Sequence, residues 1–180
     1  LQADEIRPHI AGTDWHQDRA VALEEADQTE MVTVWIAVTD ATPENGCLQV
    51  IPKAQDQITL PHCPKVQTAI ADGFIDEARA VPLPVRSGGI VLFHPLTLHA
   101  SLTNQTDSFR WSFDIRYNVT GQPTGRAHFP SFIARSRAAP ETELTDWRAW
   151  KSMWEAARTR QAAAPHINIH RWTSDTPYCA

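Results

Sequence analysis

Only three cysteines occur in the 180 residues (Cys47, Cys63 and Cys179), and none sits in a Cys-x-x-Cys pair. An odd number so spaced argues against a disulfide framework or a structural zinc site, and makes a reducing compartment the expectation. No apolar stretch is long enough to span a bilayer and no secretory signal opens the chain, so a soluble, cytoplasmic protein with no membrane partner is expected. A basic excess is missing too: 16 Lys and Arg stand against 21 Asp and Glu, a formal charge of −5. Phosphate binding normally shows as a basic surface, so nucleic acid is not expected as a partner. Internal repeats and low-complexity segments are also lacking.

What the chain does have is seven Trp, thirteen Pro and many short strand-forming runs. Strands are predicted at Met31–Val38, Cys47–Ile51, Ala80–Val85, Ile90–Phe93, Thr97–Thr103 and Arg110–Val119. Turn chemistry divides them, at Pro43-Glu44-Asn45-Gly46, at Ser87-Gly88-Gly89 and at residues 104–108. Short strands at this spacing indicate a mainly β sandwich or jelly roll rather than βαβ units. The segment Lys53–Arg79 has no clean period and reads as a long excursion, a candidate lid. After Pro140, Leu144, Trp147, Trp150, Trp154 and Ala157 recur every three or four residues, which predicts a helix on the outside of the sheet. One domain over 1–180 is expected, with a β core at about 13–119 and a helical extension at about 140–162.

Chemistry concentrates in two places. In Trp15-His16-Gln17-Asp18, an extended strand would turn His16 and Asp18 to one side. An imidazole and a carboxylate there make two-thirds of the two-His, one-carboxylate set that holds non-haem Fe(II) with open positions. The second place is a predicted hairpin from Thr97 to Val119, where His99 and Ser101 share a face of the first strand. On the second strand Arg110, Ser112, Asp114 and Arg116 share one face and Trp111, Phe113, Ile115 and Tyr117 the other. The plain reading turns the apolar face to a core and leaves Arg110 in water. Alternatively, His99 is the third metal ligand and Arg110 lies across the hairpin from it. A buried guanidinium needs a partner, and a carboxylate matches its fork. A 2-oxo dicarboxylate would suit both groups, with Ser101 and Ser112 adding hydrogen bonds. Trp35 is most simply a core residue. His62 and His94 are further imidazoles, and the proline after His94 argues against its sharing the site.

At these residues the chain resembles the phytanoyl-CoA dioxygenase family of 2-oxoglutarate-dependent oxygenases. The resemblance runs over about residues 13–119, through WHQD at 15–18, VTVWIAVTDATPENGCLQVIP at 32–52 and SGGIVLFHPLTLHASLTNQTDSFRWSFDIRY at 87–117. It implies a double-stranded β-helix, Fe(II) on His16, Asp18 and His99, and 2-oxoglutarate anchored by Arg110. Trp35, Ser101 and Ser112 fall where relatives contact the cosubstrate. The implied reaction oxidises a C–H bond of a small substrate with O₂, and the presence of Asp18 favours hydroxylation over halogenation. Family members ordinarily carry a longer stretch ahead of the His-x-Asp motif, so part of that N-terminal portion is expected to lie outside this stretch. Two alternatives stand beside this reading: a non-catalytic jelly roll binding zinc or nickel at the same triad, and a module binding a small acid. Only the oxygenase reading needs both the triad and Arg110.

Overall fold

Alternation along MVTVWIA produces β1 (Met31–Ala37), with Thr33, Trp35 and Ala37 buried and Val32, Val34 and Ile36 on the opposite side. The computed structural model describes residues 12–52, 58–164 and 170–179. After β1 come β2 (Leu48–Val50), β3 (His62–Pro64), β4 (Thr68–Ile70) and β5 (Val81–Leu83). Then follow β6 (Ile90–Phe93), β7 (His99–Ser101) and β8 (Ser112–Asn118). Helix α1 (Asp18–Val21) precedes them and α2 (Trp147–Ala163) follows. All six strands predicted from the sequence are present, Ile90–Phe93 as predicted and the other five trimmed at their ends.

The strands form two three-stranded sheets, ordered β6-β1-β8 and β5-β2-β7, and a hairpin, β3-β4. Residues from both larger sheets meet in one core: Trp35, Ala37 and Phe93 from the first, Leu48 from the second, with Ala41 and Cys47 between. From β5 to β8 successive strands alternate between the two larger sheets, as in a jelly roll, and the mainly β expectation holds. The turn into β2 requires Gly46, whose φ is 86° and where a Cβ would meet the Leu102 carbonyl oxygen at 2.7 Å.

Two expectations are corrected. Thr97–Val119 is not a hairpin: β7 pairs with β2, whereas β8 joins the sheet of β1. A ten-residue connection (102–111) gives room for the crossing, which strand periodicity cannot reveal. The described part of Lys53–Arg79 is no loose lid either, while residues 53–57 lie outside the described residues. It contains the β3-β4 hairpin, which buries His62, Cys63, Ala69, Ile70 and Ala71. Ile70 packs with Ile51 and Leu98 as a second core cluster. Strands of three residues are too short to show a period.

The chain divides into two compact units, one of Leu1–Val21, Met31–Tyr117 and Arg171–Ala180, the other of Ala22–Glu30 and Asn118–His170. In the second, Asp146 caps α2 by accepting from the Arg148 N–H at 2.9 Å. The tryptophan stripe of α2 is satisfied within that unit: Trp150 meets Phe132 at 4.7 Å and Trp154 meets Phe129 at 5.5 Å. The helix therefore starts at Trp147, later than the predicted extension, and its aromatic contacts are to loop phenylalanines.

In the first unit Cys63 and Cys179 form a disulfide across 116 residues of sequence. The expectation of no disulfide is overturned, and the cysteine count no longer speaks for a reducing compartment. Cys47 is free and buried. Among the described residues no helix is long and apolar enough to cross a membrane.

Candidate metal centre

His16 and His99 are brought together by an isolated antiparallel bridge, each N–H donating to the other's carbonyl at 2.9 and 3.1 Å. Residues opposite one another in such a bridge turn their side chains to one side, and the imidazole centroids are 4.1 Å apart. Both rings are oriented alike. Nδ1 of His16 is 2.7 Å from the Asp14 carbonyl and Nδ1 of His99 is 2.9 Å from the Thr97 carbonyl. A carbonyl only accepts, so Nδ1 carries the hydrogen and each Nε2 keeps its lone pair for a ligand bond. Phe93 stacks on His99 at 4.8 Å and fixes that ring further.

Asp18 arrives differently from the extended strand predicted. Past His16 the chain turns at Gln17, and Asp18 opens α1. Its Oδ1 nevertheless lies 4.0 Å from Nε2 of both histidines. The candidate ligand atoms of His16, Asp18 and His99 all fall within 4.8 Å of one another. Burial, then the neighbouring His99, lowers the pKa of His16 to about 4, so this imidazole is neutral at neutral pH and able to ligate. For Asp18, burial pushes the pKa up. Arg116, His99 and the Thr33 hydroxyl outweigh it and hold the carboxyl below its ordinary value. Two imidazole nitrogens and an ionised carboxylate, all buried, form a donor set that fits a borderline divalent ion such as Fe(II).

Arg110 lies in a second cluster. Its guanidinium sits 5.5 Å over the Trp35 ring, and Nη1 donates to the Ser112 hydroxyl at 3.0 Å. It is partly buried, and among the described residues no carboxylate pairs with it. Burial lowers its pKa accordingly. Trp35, Arg110 and Ser112 are thus together. Ser101 sits two residues past His99 on β7, where its hydroxyl accepts from the Thr13 N–H at 2.7 Å.

Residues 5–112 match the sequence model of the family described as phytanoyl-CoA dioxygenase (PhyH). This chain belongs to that family. A relative from Danio rerio, phytanoyl-CoA dioxygenase domain-containing protein 1, is 38% identical over 104 residues, which are 53% of this chain and 35% of the relative. The Mus musculus protein of the same name is 35% identical over 61% of this chain and 40% of its own length. The chain therefore spans between 26% and 40% of the length of the curated relatives it matches. Among solved structures, the non-heme monooxygenase ThoJ in its apo form superposes with a TM-score of 0.64 at 28% identity, covering 84% of this chain and 59% of ThoJ.

Around the PhyH-family motif the structure adds a support that sequence reasoning missed. Gln17, between two candidate ligands, is 1% exposed and fully engaged. Its amide nitrogen donates to the carbonyls of Ile58 (3.1 Å) and Leu96 (3.0 Å), and its oxygen accepts from the Leu60 N–H (2.7 Å). The Gln17 backbone N–H donates to Nε2 of His62 at 3.2 Å. His62 is therefore a brace for the motif, and Trp172 stacks on it at 5.2 Å while donating from its indole to the Ala20 carbonyl at 2.8 Å. The Cys63–Cys179 bond ties the same C-terminal segment to β3. His94 is engaged elsewhere, accepting from the Leu96 N–H at 3.2 Å.

The other missed residues grip the carboxylate itself. Thr33 donates to Oδ2 of Asp18, and Arg116 donates to Oδ1. Alternation already placed Arg116 on the face of Arg110. Nothing in the sequence showed that Asp18 would be its partner.

Proposed function

We propose that this chain carries the catalytic core of a non-haem iron(II) oxygenase that consumes 2-oxoglutarate and oxidises a C–H bond of a small organic substrate, its two units belonging to one oxygenase domain. The observation that carries this reading is the convergence of two Nε2 atoms and one carboxylate oxygen in a buried cluster. Supporting it is Arg110, which lies over Trp35 on the side of β1 where Thr33 bonds Asp18, without a carboxylate of its own among the described residues.

In this reading His16, Asp18 and His99 hold the iron. Iron with 2-oxoglutarate and O₂ supplies the oxidation, one oxygen atom going to succinate as CO₂ leaves and the other to the substrate. The protein supplies position and dryness. The Nδ1–H bonds to Asp14 and Thr97 keep both imidazoles in the ligating tautomer. Arg110 receives the far carboxylate of the cosubstrate as a two-pronged donor, with one side of its plane already against Trp35. Ser112 fixes the guanidinium's orientation, and Trp35 excludes water from that end. Ser101, on the His99 strand, is the remaining candidate contact.

The test is O₂-dependent succinate formation with Fe(II), run on the parent chain and on Arg110→Ala. A charge-assisted hydrogen-bonded pair contributes about 1.5–3 kcal/mol, so Arg110→Ala should lower kcat/KM for 2-oxoglutarate by roughly 10- to 100-fold. Equal turnover in both proteins would remove the cosubstrate assignment and leave a metal-only jelly roll. His99→Ala should abolish both metal binding and turnover.

A further inference from the structure

Two arginines on one face of the β8 segment are treated differently by the fold. Among the described residues Arg110 has no acid, whereas Arg116 has two: Oδ1 of Asp18 and, at 3.7 Å, Oδ2 of Asp114. The two oxygens of Asp18 are also unequal. Oδ2 is held by the Thr33 hydroxyl. Oδ1 faces both imidazole nitrogens at 4.0 Å and is the oxygen that a metal ion on the triad must bond. It is this oxygen that the guanidinium holds. A divalent ion arriving there meets both a competitor for the oxygen's lone pairs and a like charge at close range. The 3.7 Å separation from Asp114 is within ion-pair range but too long for a hydrogen bond, so a second carboxylate waits beside the guanidinium.

We propose that Arg116 is a resident cation of this site, which yields Asp18 Oδ1 to an incoming metal ion and moves onto Asp114. The proposal rests on the metal-site reading above and adds a residue that tunes loading. With no metal bound, Arg116 neutralises a buried carboxylate that would otherwise be left unpaired at high cost. With metal bound, Asp18 is neutralised by the ion, and Asp114 keeps the displaced guanidinium from becoming unpaired in turn. Metal uptake thus exchanges one counter-ion for another with no net loss of ion pairs. Positive charge at position 116 weakens metal binding, and negative charge at position 114 restores part of the loss.

The test is a double-mutant cycle read by Co(II) titration, using the visible absorption bands of the bound ion and, separately, the metal-induced rise in Tm. Arg116→Met and Arg116→Gln are expected to bind Co(II) about tenfold more tightly than the parent, and to unfold at lower temperature when no metal is present. Arg116→Lys keeps the charge and should stay within about threefold of the parent. Asp114→Asn should bind about threefold more weakly, and that penalty should vanish in the Arg116→Met background. Unchanged or weaker binding by both neutral variants overturns the proposal, as does an Asp114→Asn penalty of equal size in either background. If the parent and all variants fail to bind Co(II), the triad is not a metal site and both readings fall together.

Discussion

On the side of the β6-β1-β8 sheet where Thr33 lies, the segment leading into and through β8 directs Arg110, Ser112 and Arg116 toward Trp35 and Asp18. On the opposite side Val34 stands across from Leu92 and Ile36 across from Ile90, with Phe113, Ile115 and Tyr117 on β8 and Trp111 just before it. Leu92, Phe113 and Trp111 are 62%, 61% and 62% exposed. In an ordinary half-buried sheet the apolar side faces the core and the charged side faces water. Here the apolar side is exposed, while on the charged side Arg110 and Ser112 are partly buried and the Arg116 and Asp114 side chains keep 38% and 44% of their exposure. The arginines of that side meet a candidate metal ligand, an aromatic face and a hydroxyl. Site contacts and partial solvation together set the polarity of β8.

The inner face is most vulnerable from behind, where the C-terminal segment braces the turn that carries His16 and Asp18. Cys179→Ser opens a 116-residue loop in the crosslinked chain, and chain entropy puts the loss at about 5 kcal/mol. Urea unfolding should show that loss in the variant, and in the parent only once a reductant is added. A variant as stable as the oxidised parent would mean that the crosslink does not brace this face.

Next in size is a pH effect on the same brace. Burial lowers His62 from 6.5 to about 4, so the unfolded chain takes up its proton first as pH falls. The contribution is complete above pH 6.5 and is lost as pH drops through the window toward 4. For His62 alone that amounts to on the order of 3 kcal/mol. Denaturation curves at pH 7 and pH 4.5 in the presence of a chelator should show the decline, and His62→Gln should remove about half of it, since His16, lowered to the same value by burial, contributes the rest. An equally steep decline in the variant would assign the pH dependence to other groups.

The smallest effect belongs to the outer face. Leu92→Lys replaces a side chain already in contact with water, so stability should move by less than about 0.5 kcal/mol while binding of a hydrophobic dye falls. A loss of several kcal/mol would show that this face is packed in solution, and the contrast between the two sides would disappear.

Much of this was legible in the residues. The alternation of β1 and β8, the proline- and glycine-marked turns and the helical stripe at Trp150, Trp154 and Ala157 are local patterns, and each element formed near its predicted place. His16, Asp18 and His99 stood out because few combinations of residue types can hold a metal ion with positions to spare. The illegible parts depended on register and crossing. Asp18 reaches the site from a helical turn and not from a strand, and β7 and β8 separate into different sheets despite adjacent positions in the chain.

The residues alone pointed to the jelly-roll class, and with the family resemblance to a candidate ligand trio and a candidate anion anchor, because strand period and donor chemistry are properties of neighbouring residues and of side-chain type. Only the tertiary structure decided that Arg116 would hold Asp18, that His62 would support Gln17 and that Cys63 would find Cys179. Those pairings join residues 45 to 116 positions apart. Contacts over such distances are fixed by how sheets cross and pack, which no local pattern of side chains encodes.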